Sequence, residues 1–171
     1  ERQKRMETGV LECAQRFADG RAEAEKTLLF ADFVEMSYSE EAVYKAAYGG
    51  VLEVVAKGRG EILATHYGRD MELGWQGWTW PCRGVFVSPE GGAIVHWVNL
   101  APFSRADGSP YETPGVSFLE FDEAGSVLFQ SDVMDLGAQL GLCEELDREG
   151  LLNGALKASW VTPMKKMMVD A

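Results

Sequence analysis

Histidine occurs only twice in the 171 residues, at 66 and 96, and cysteine only three times, at 13, 82 and 143. The cysteines are far apart and odd in number, and they make neither a CxxC pair nor a zinc spacing. So sparse a ligand set predicts no metal site, and three isolated thiols predict reduced, structural cysteines in a cytoplasmic protein. Also missing is any apolar run of about 18 residues, so no transmembrane helix is expected. The opening "ERQKRMETGV" is charged and lacks an apolar segment, which does not fit a signal peptide. Basic residues number 16 against 27 acidic ones, a formal net charge of −11. That balance excludes a nucleic-acid binder, which needs a basic stripe to neutralise phosphates, and it disfavours an anionic membrane. The acidic residues are spread along the chain, as on a solvated surface. No glycine-rich phosphate loop and no Ser-His-Asp order appears, so no cofactor is expected.

What is present is an ordered change of periodicity. Met6, Val10, Cys13 and Phe17 recur at steps of four, three and four, the stripe of an amphipathic helix. "DG" at 19–20 is expected to end it, and "AEAEKTLLFADFVEM" to form a second helix closing near Tyr38–Ser39. "EAVYKAAY" and "VLEVVAKG" read as extended chain on either side of Gly49-Gly50, and "GRGEILATHYGRDM" as a helix burying Ile62, Leu63 and Tyr67. Four β-rich runs follow: "ELGWQGWTWPCRGVFVS", "AIVHWVNLAPF", "GVSFLEFD" and "SVLFQSDVMD". Turn chemistry separates them, at "SPEGG", "RADGSP" and "DEAG", with the spacing of an antiparallel meander. A helix, "GAQLGLCEELDREG", and a Met-rich end, "PMKKMMVD", complete the chain. Helices first and sheet afterwards predict an α+β fold with helices on one face of the sheet. No repeat or linker divides it. Residues 1–150 are expected as one domain, and 151–171 as a tail that either lids a pocket or reaches a neighbouring subunit.

Several segments in this order resemble the nuclear transport factor 2 superfamily, which includes ketosteroid isomerase, scytalone dehydratase, limonene epoxide hydrolase and the SnoaL-like polyketide cyclases. They are "AVYKAAYGG", "GRGEI" opening a helix, "PGVSFLEFDEAGSV", and "QSDVMDLGAQLGL" with two acids three apart before "QLGL". The likeness covers roughly residues 5–145. It implies a cystatin-like cone, a strongly curved antiparallel sheet wrapped over N-terminal helices around a deep apolar pocket, and homodimers or higher homo-oligomers through the outer sheet face. Fold does not fix function, because this superfamily holds enzymes, small-molecule binders and interaction domains.

The pocket residues must decide. Strand alternation puts Leu128, Gln130, Asp132 and Met134 on one face, with Phe129, Ser131, Val133 and Asp135 on the other. The resemblance to cyclases and epoxide hydrolases points the first terminal acid, Asp132, into the pocket, where desolvation suits it to acid/base work; the alternative is an edge carboxylate in water. Asp135 reads better as a helix cap. Gln130 stands where the cyclases often carry a histidine. Trp97 and Asn99 stand where epoxide hydrolases of the family place an arginine and an aspartate, so that triad is absent. Asn99 could still orient a water or donate to an oxyanion. His96 lies on the opposite face from Asn99, either a proton shuttle or an outer-face histidine. Lys45 stands near the position that the ketosteroid isomerase resemblance gives the catalytic aspartate; it is a desolvated base or a surface lysine. Tyr44 and Tyr48 share the other face of that strand and compete with it for the pocket. Trp78, Trp80 and Trp97 could wall a flat ligand or simply fill core or interface, and Arg83 could stack on them or form an exposed salt bridge. The expected function is a cofactor-independent lyase or isomerase moving protons on a hydrophobic small molecule, the tryptophans favouring an aryl one. Dehydration, double-bond migration and retro-aldol elimination such as formaldehyde loss all fit. The alternative is a non-catalytic binding or assembly domain of the same fold.

Overall fold

In the computed structural model, a 26-residue helix, α1 (Arg2–Thr27), packs against the inner face of a six-stranded sheet. The structure describes the backbone of residues 2–48, 51–69 and 71–170, and the side chains of 9–46, 55–69, 71 and 74–169. The predicted stripe holds at Phe17, with Met6 outside the described side chains, and continues through Ala14, Ala18 and Ala24. Asp19-Gly20 does not end the helix. A Cβ on Gly20 would stand 3.2 Å from the Phe33 ring, so the glycine lets the next helix lie close. Within a helix it costs only about 1 kcal/mol relative to alanine. The break falls at Leu28, which has positive φ (61°), and α2 (Phe30–Ser37) then buries Phe30, Phe33 and Val34.

The strands are β1 (Tyr38–Tyr48), β2 (Val51–Lys57), β3 (Cys82–Val87), β4 (Ala93–Ser104), β5 (Pro110–Phe121) and β6 (Val127–Met134), in the order β2-β1-β6-β5-β4-β3. From β3 to β6 they form the expected antiparallel meander, while β1 joins β6 in parallel and makes the curved sheet mixed. The α+β cone is as predicted. Register separates its faces: Ala46, Asp132, Ser117 and Val95 form one row across β1, β6, β5 and β4, all buried. Lys45, Ser131, Phe118, Ile94 and Phe86 form the adjacent row, which points the other way. One residue departs from the expected alternation. Glu120 pairs with Phe129 and Phe121 with Val127, so Leu128 is an extra, bulged residue and is exposed.

"PG" at 114–115 has a steric cause. Gly115 pairs with Trp97, whose ring lies so close that a Cβ on residue 115 would stand 2.2 Å from it. Between sheet segments the chain coils through α3 (Gly58–Ala64) and two wide π-helical turns, Thr65–Arg69 and Met71–Trp75. After β6 come α4 (Leu136–Arg148), α5 (Gly154–Leu156), a π-helical turn Lys157–Val161, and α6 (Thr162–Asp170). Leu156, Val161 and Met164 are buried with Trp78, Tyr111 and Leu146 in a second apolar cluster. Gly74 (φ 120°) sits against this tail, where a Cβ would fall 2.4 Å from the Leu156 nitrogen. All three cysteines are free. Among the described residues no helix is long and apolar enough to cross a membrane.

Candidate active site in the cone

The cone holds a hollow of about 710 Å³ of space free of atoms, its open mouth included. Its walls are mainly aromatic: Trp75 and Trp80 before β3, Trp97 on β4, Trp160 from the tail and Tyr44 on β1. Four polar or charged side chains reach it besides Tyr44, namely Arg21, His66, Asn99 and Asp132.

Asp132 is brought in by β6, and three donors hold it. Ser117 Oγ donates to Oδ1 at 2.6 Å, Gln130 Nε2 to Oδ1 at 2.8 Å, and Tyr44 OH to Oδ2 at 3.0 Å. Trp97 Nε1 donates in turn to Ser117 Oγ at 2.8 Å, which leaves the serine proton for the carboxylate. Burial, the largest influence, pushes the Asp132 carboxyl above its ordinary value, while Ser117, Gln130, Arg21 and Tyr44 pull the other way.

His66 comes from the first π-helical turn, with its ring 4.3 Å from that of Tyr44. Its Nε2 lies 3.7 Å from Asp132 Oδ2, beyond hydrogen-bond length, and is a buried polar atom without a hydrogen-bond partner. Burial and then Arg21 hold His66 well below the ordinary histidine value, so at neutral pH it is an uncharged imidazole. Arg21, on the buried stripe of α1, donates Nε to Glu25 at 3.1 Å and stacks between Tyr67 and Trp80. Burial works against its charge, but Tyr67 and Glu25 outweigh that and keep the guanidinium ionised.

Asn99 behaves differently. Its Oδ1 accepts from Trp80 Nε1 at 2.5 Å, and its Nδ2 donates to Gln139 Oε1 at 3.2 Å and to Thr113 at 3.5 Å. Protein groups therefore already occupy the amide that was expected to serve a water or an oxyanion.

Of the residues singled out in the sequence, Asp132, Tyr44, Trp80, Trp97 and Asn99 line the hollow together. Gln130 is fully buried behind Asp132 and supports it without lining the hollow. His96 is outside: it alternates with the buried Val95 and Trp97 and pairs with Gly84 and Val116 on the outer face. Lys45 is outside too, its Nζ 5.4 Å from the centre of the Phe129 ring, because the inward position of that strand belongs to Tyr44. Trp78 packs in the second cluster, its ring 5.0 Å from that of Trp75, and Arg83 forms a surface ion pair with Glu112 at 2.8 Å. The Tyr48 side chain lies outside the described residues. Asp135 caps α4, accepting from the Ala138 N–H at 2.9 Å. Sequence reading missed His66, Arg21 and Trp160. His66 was legible four positions after the core residue Ile62, and Arg21 three after Ala18 on the buried stripe.

No protein-family model matches the chain, and no curated protein matches it in sequence. Solved structures do match in shape. Bal32a from a soil-derived mobile gene cassette is 20% identical, with 78% of this chain and 95% of that one covered at a TM-score of 0.59. A candidate SnoaL-like polyketide cyclase from Jannaschia sp. CCS1 is 17% identical, with coverage of 80% and 92% and a TM-score of 0.60. An NTF2-like protein of unknown function from Burkholderia pseudomallei K96243 is 14% identical, with coverage of 78% and 96% and a TM-score of 0.58. The fold is that of the nuclear transport factor 2 superfamily. Within that fold the chain has the open-mouthed hollow described above, walled by aromatic side chains and reached by Asp132, His66 and Arg21.

Proposed function

We propose that this NTF2-like chain is a cofactor-independent lyase or isomerase that moves a proton on a hydrophobic, aryl-bearing small molecule. The observation that supports this most is the unpartnered Nε2 of His66, buried 3.7 Å from the Asp132 carboxylate inside an aromatic hollow. A neutral imidazole has a lone pair to accept a substrate proton, and a carboxylate beside it stabilises the imidazolium that forms. Arg21 faces the same space and could balance charge developing on a substrate oxygen, while the Tyr44 hydroxyl keeps its proton on Asp132. The proton taken by His66 then returns to another carbon in isomerisation, or to the departing hydroxyl in dehydration. In retro-aldol cleavage it comes from a substrate hydroxyl and ends on the carbanion carbon as the carbonyl fragment leaves. The candidate SnoaL-like polyketide cyclase among the structural neighbours is compatible with such chemistry.

Trp160 from the tail reaches the hollow and supports reading residues 151–171 as a lid. Exposed Phe86 and Phe118 on the outer sheet face support a homo-oligomer, which sedimentation velocity would test. Free thiols are compatible with a cytoplasmic location.

The test is native mass spectrometry for a co-purified ligand, followed by aryl alcohols, enones and aryl β-hydroxy compounds monitored by ultraviolet absorbance. Turnover abolished in both His66→Gln and Asp132→Asn is expected. Tight binding without turnover of any panel member would favour the binding domain instead.

A further inference from the structure

Behind Asp132 runs a line of hydrogen bonds with one direction. Arg21 Nη1 donates to Tyr67 OH at 3.5 Å. The two phenol oxygens of Tyr67 and Tyr38 lie 2.7 Å apart, and Tyr38 OH donates to Gln130 Oε1 at 2.5 Å. Gln130 Nε2 then donates to Asp132 Oδ1 at 2.8 Å. A hydroxyl has a single proton. Tyr38 spends its own on Gln130, so Tyr67 must donate to Tyr38, and every step from guanidinium to carboxylate points the same way. A cation at the donor end and an anion at the acceptor end suit that polarity, and aligned hydrogen bonds in a buried setting reinforce one another. Neither phenol gives up its proton at working pH: burial pushes Tyr67 to about 12 and Tyr38 well above its ordinary value.

We propose that Tyr38, which does not line the hollow, is a positioning residue that fixes the Gln130 amide so that its N–H groups hold the Asp132 carboxylate toward His66. This rests on reading Asp132 as the site carboxylate, and it goes beyond that reading by placing control of it on a different side chain. Without the Tyr38 hydroxyl, Gln130 loses the donor that sets its orientation. Turned over, it would present its carbonyl oxygen to Asp132 and oppose the ionised form. The other groups facing Asp132 are Ser117 from β5, Tyr44 from β1, His66 from the π-helical turn and Arg21 from α1. Glu25 stands behind Arg21. None of them touches Oε1 of Gln130 among the hydrogen bonds of the described residues, so the orientation falls to Tyr38.

The experiment is a carboxyl ¹³C titration of the ligand-free full chain by NMR. Tyr38→Phe should move the Asp132 midpoint upward by about one pH unit, since a hydrogen bond that favours the charged form is removed from the line. Tyr67→Phe should move it less, and Ser131→Ala, a buried polar change on the outer face, should leave it in place. In the unmutated chain, the Tyr38 ring carbon that bears the hydroxyl should shift with the Asp132 midpoint, which tests the line even if Tyr38→Phe does not fold. A folded Tyr38→Phe with an unmoved Asp132 midpoint, or a Tyr38 signal that stays still while Asp132 titrates, would overturn the proposal. Because no substrate is used, the two readings separate. Coupling in a chain that turns nothing over refutes only the catalytic reading, and turnover without coupling refutes only this one.

Discussion

Two buried polar clusters share the wall of the hollow, and only one of them is closed. Around Asn99, the indole of Trp80, the amide of Gln139 and the hydroxyl of Thr113 saturate one another. Around Asp132, three protein donors hold the carboxylate, yet the titratable nitrogen beside it has no partner. A buried polar group left unpaired costs stability, so a persistent one points to a functional use, whereas a saturated cluster points to architecture. On the proposed reading, the difference puts the chemistry at His66 and Asp132 and leaves Asn99 to hold the wall.

The largest expected effect breaks the open cluster. His66→Gln should lower kcat by about 10²- to 10⁴-fold on any substrate that the panel identifies, with the melting temperature little changed. The closed cluster should respond the opposite way. Asn99→Ala should cost about 1–3 kcal/mol in chemical denaturation, because it strands Trp80 and Gln139, while the pH profile of turnover keeps its shape. If Asn99→Ala abolished turnover without loss of stability, the contrast between the clusters would disappear.

Acid sharpens the comparison further. Since burial holds His66 below its ordinary value of 6.5, the unfolded chain takes up a proton below that pH while the folded chain does not. Stability should therefore fall as pH drops from about 6.5 toward the lowered folded value. Asp132 works in the opposite sense: its raised carboxyl keeps a proton in the folded state above 3.8, where the unfolded chain has lost it, so that contribution declines as pH rises through that window. Calorimetry between pH 7 and 5 should show a loss in the unmutated chain that is smaller in His66→Gln. The smallest effect concerns the aromatic wall. Trp160→Leu should raise KM about three- to tenfold with kcat nearly constant, the scale of one lost aromatic contact.

How far the sequence alone led depended on the kind of periodicity. Alternation in β6 put Asp132 and Asp135 on opposite faces, and the resemblance to cyclases and epoxide hydrolases chose Asp132 as the inward one; in the structure Asp132 lines the hollow and Asp135 caps α4. The same rule left β1 and β4 ambiguous. Nothing in "AVYKAAY" says whether Tyr44 or Lys45 faces in; the pairing of Tyr44 with Gln130 decides it, and that depends on a strand more than 80 positions away. Strand alternation singles out His96 as a candidate and says nothing of His66. Thr65–Arg69 and Met71–Trp75 form π-helical turns, so beyond the step from Ile62 to His66 the ordinary helical spacing no longer tells which side chains share a face. Arg21 was lost to the expected break at Asp19-Gly20, where close contact with Phe33 overrides glycine's weak helix propensity.

The most direct measurement is a ¹⁵N NMR titration of the His66 imidazole in the ligand-free protein. A neutral ring that holds its lone pair ready beside Asp132 should titrate with a midpoint well below the ordinary 6.5. A midpoint at or above the ordinary 6.5 would instead mean a resting imidazolium paired with the carboxylate, with no base available to take a proton.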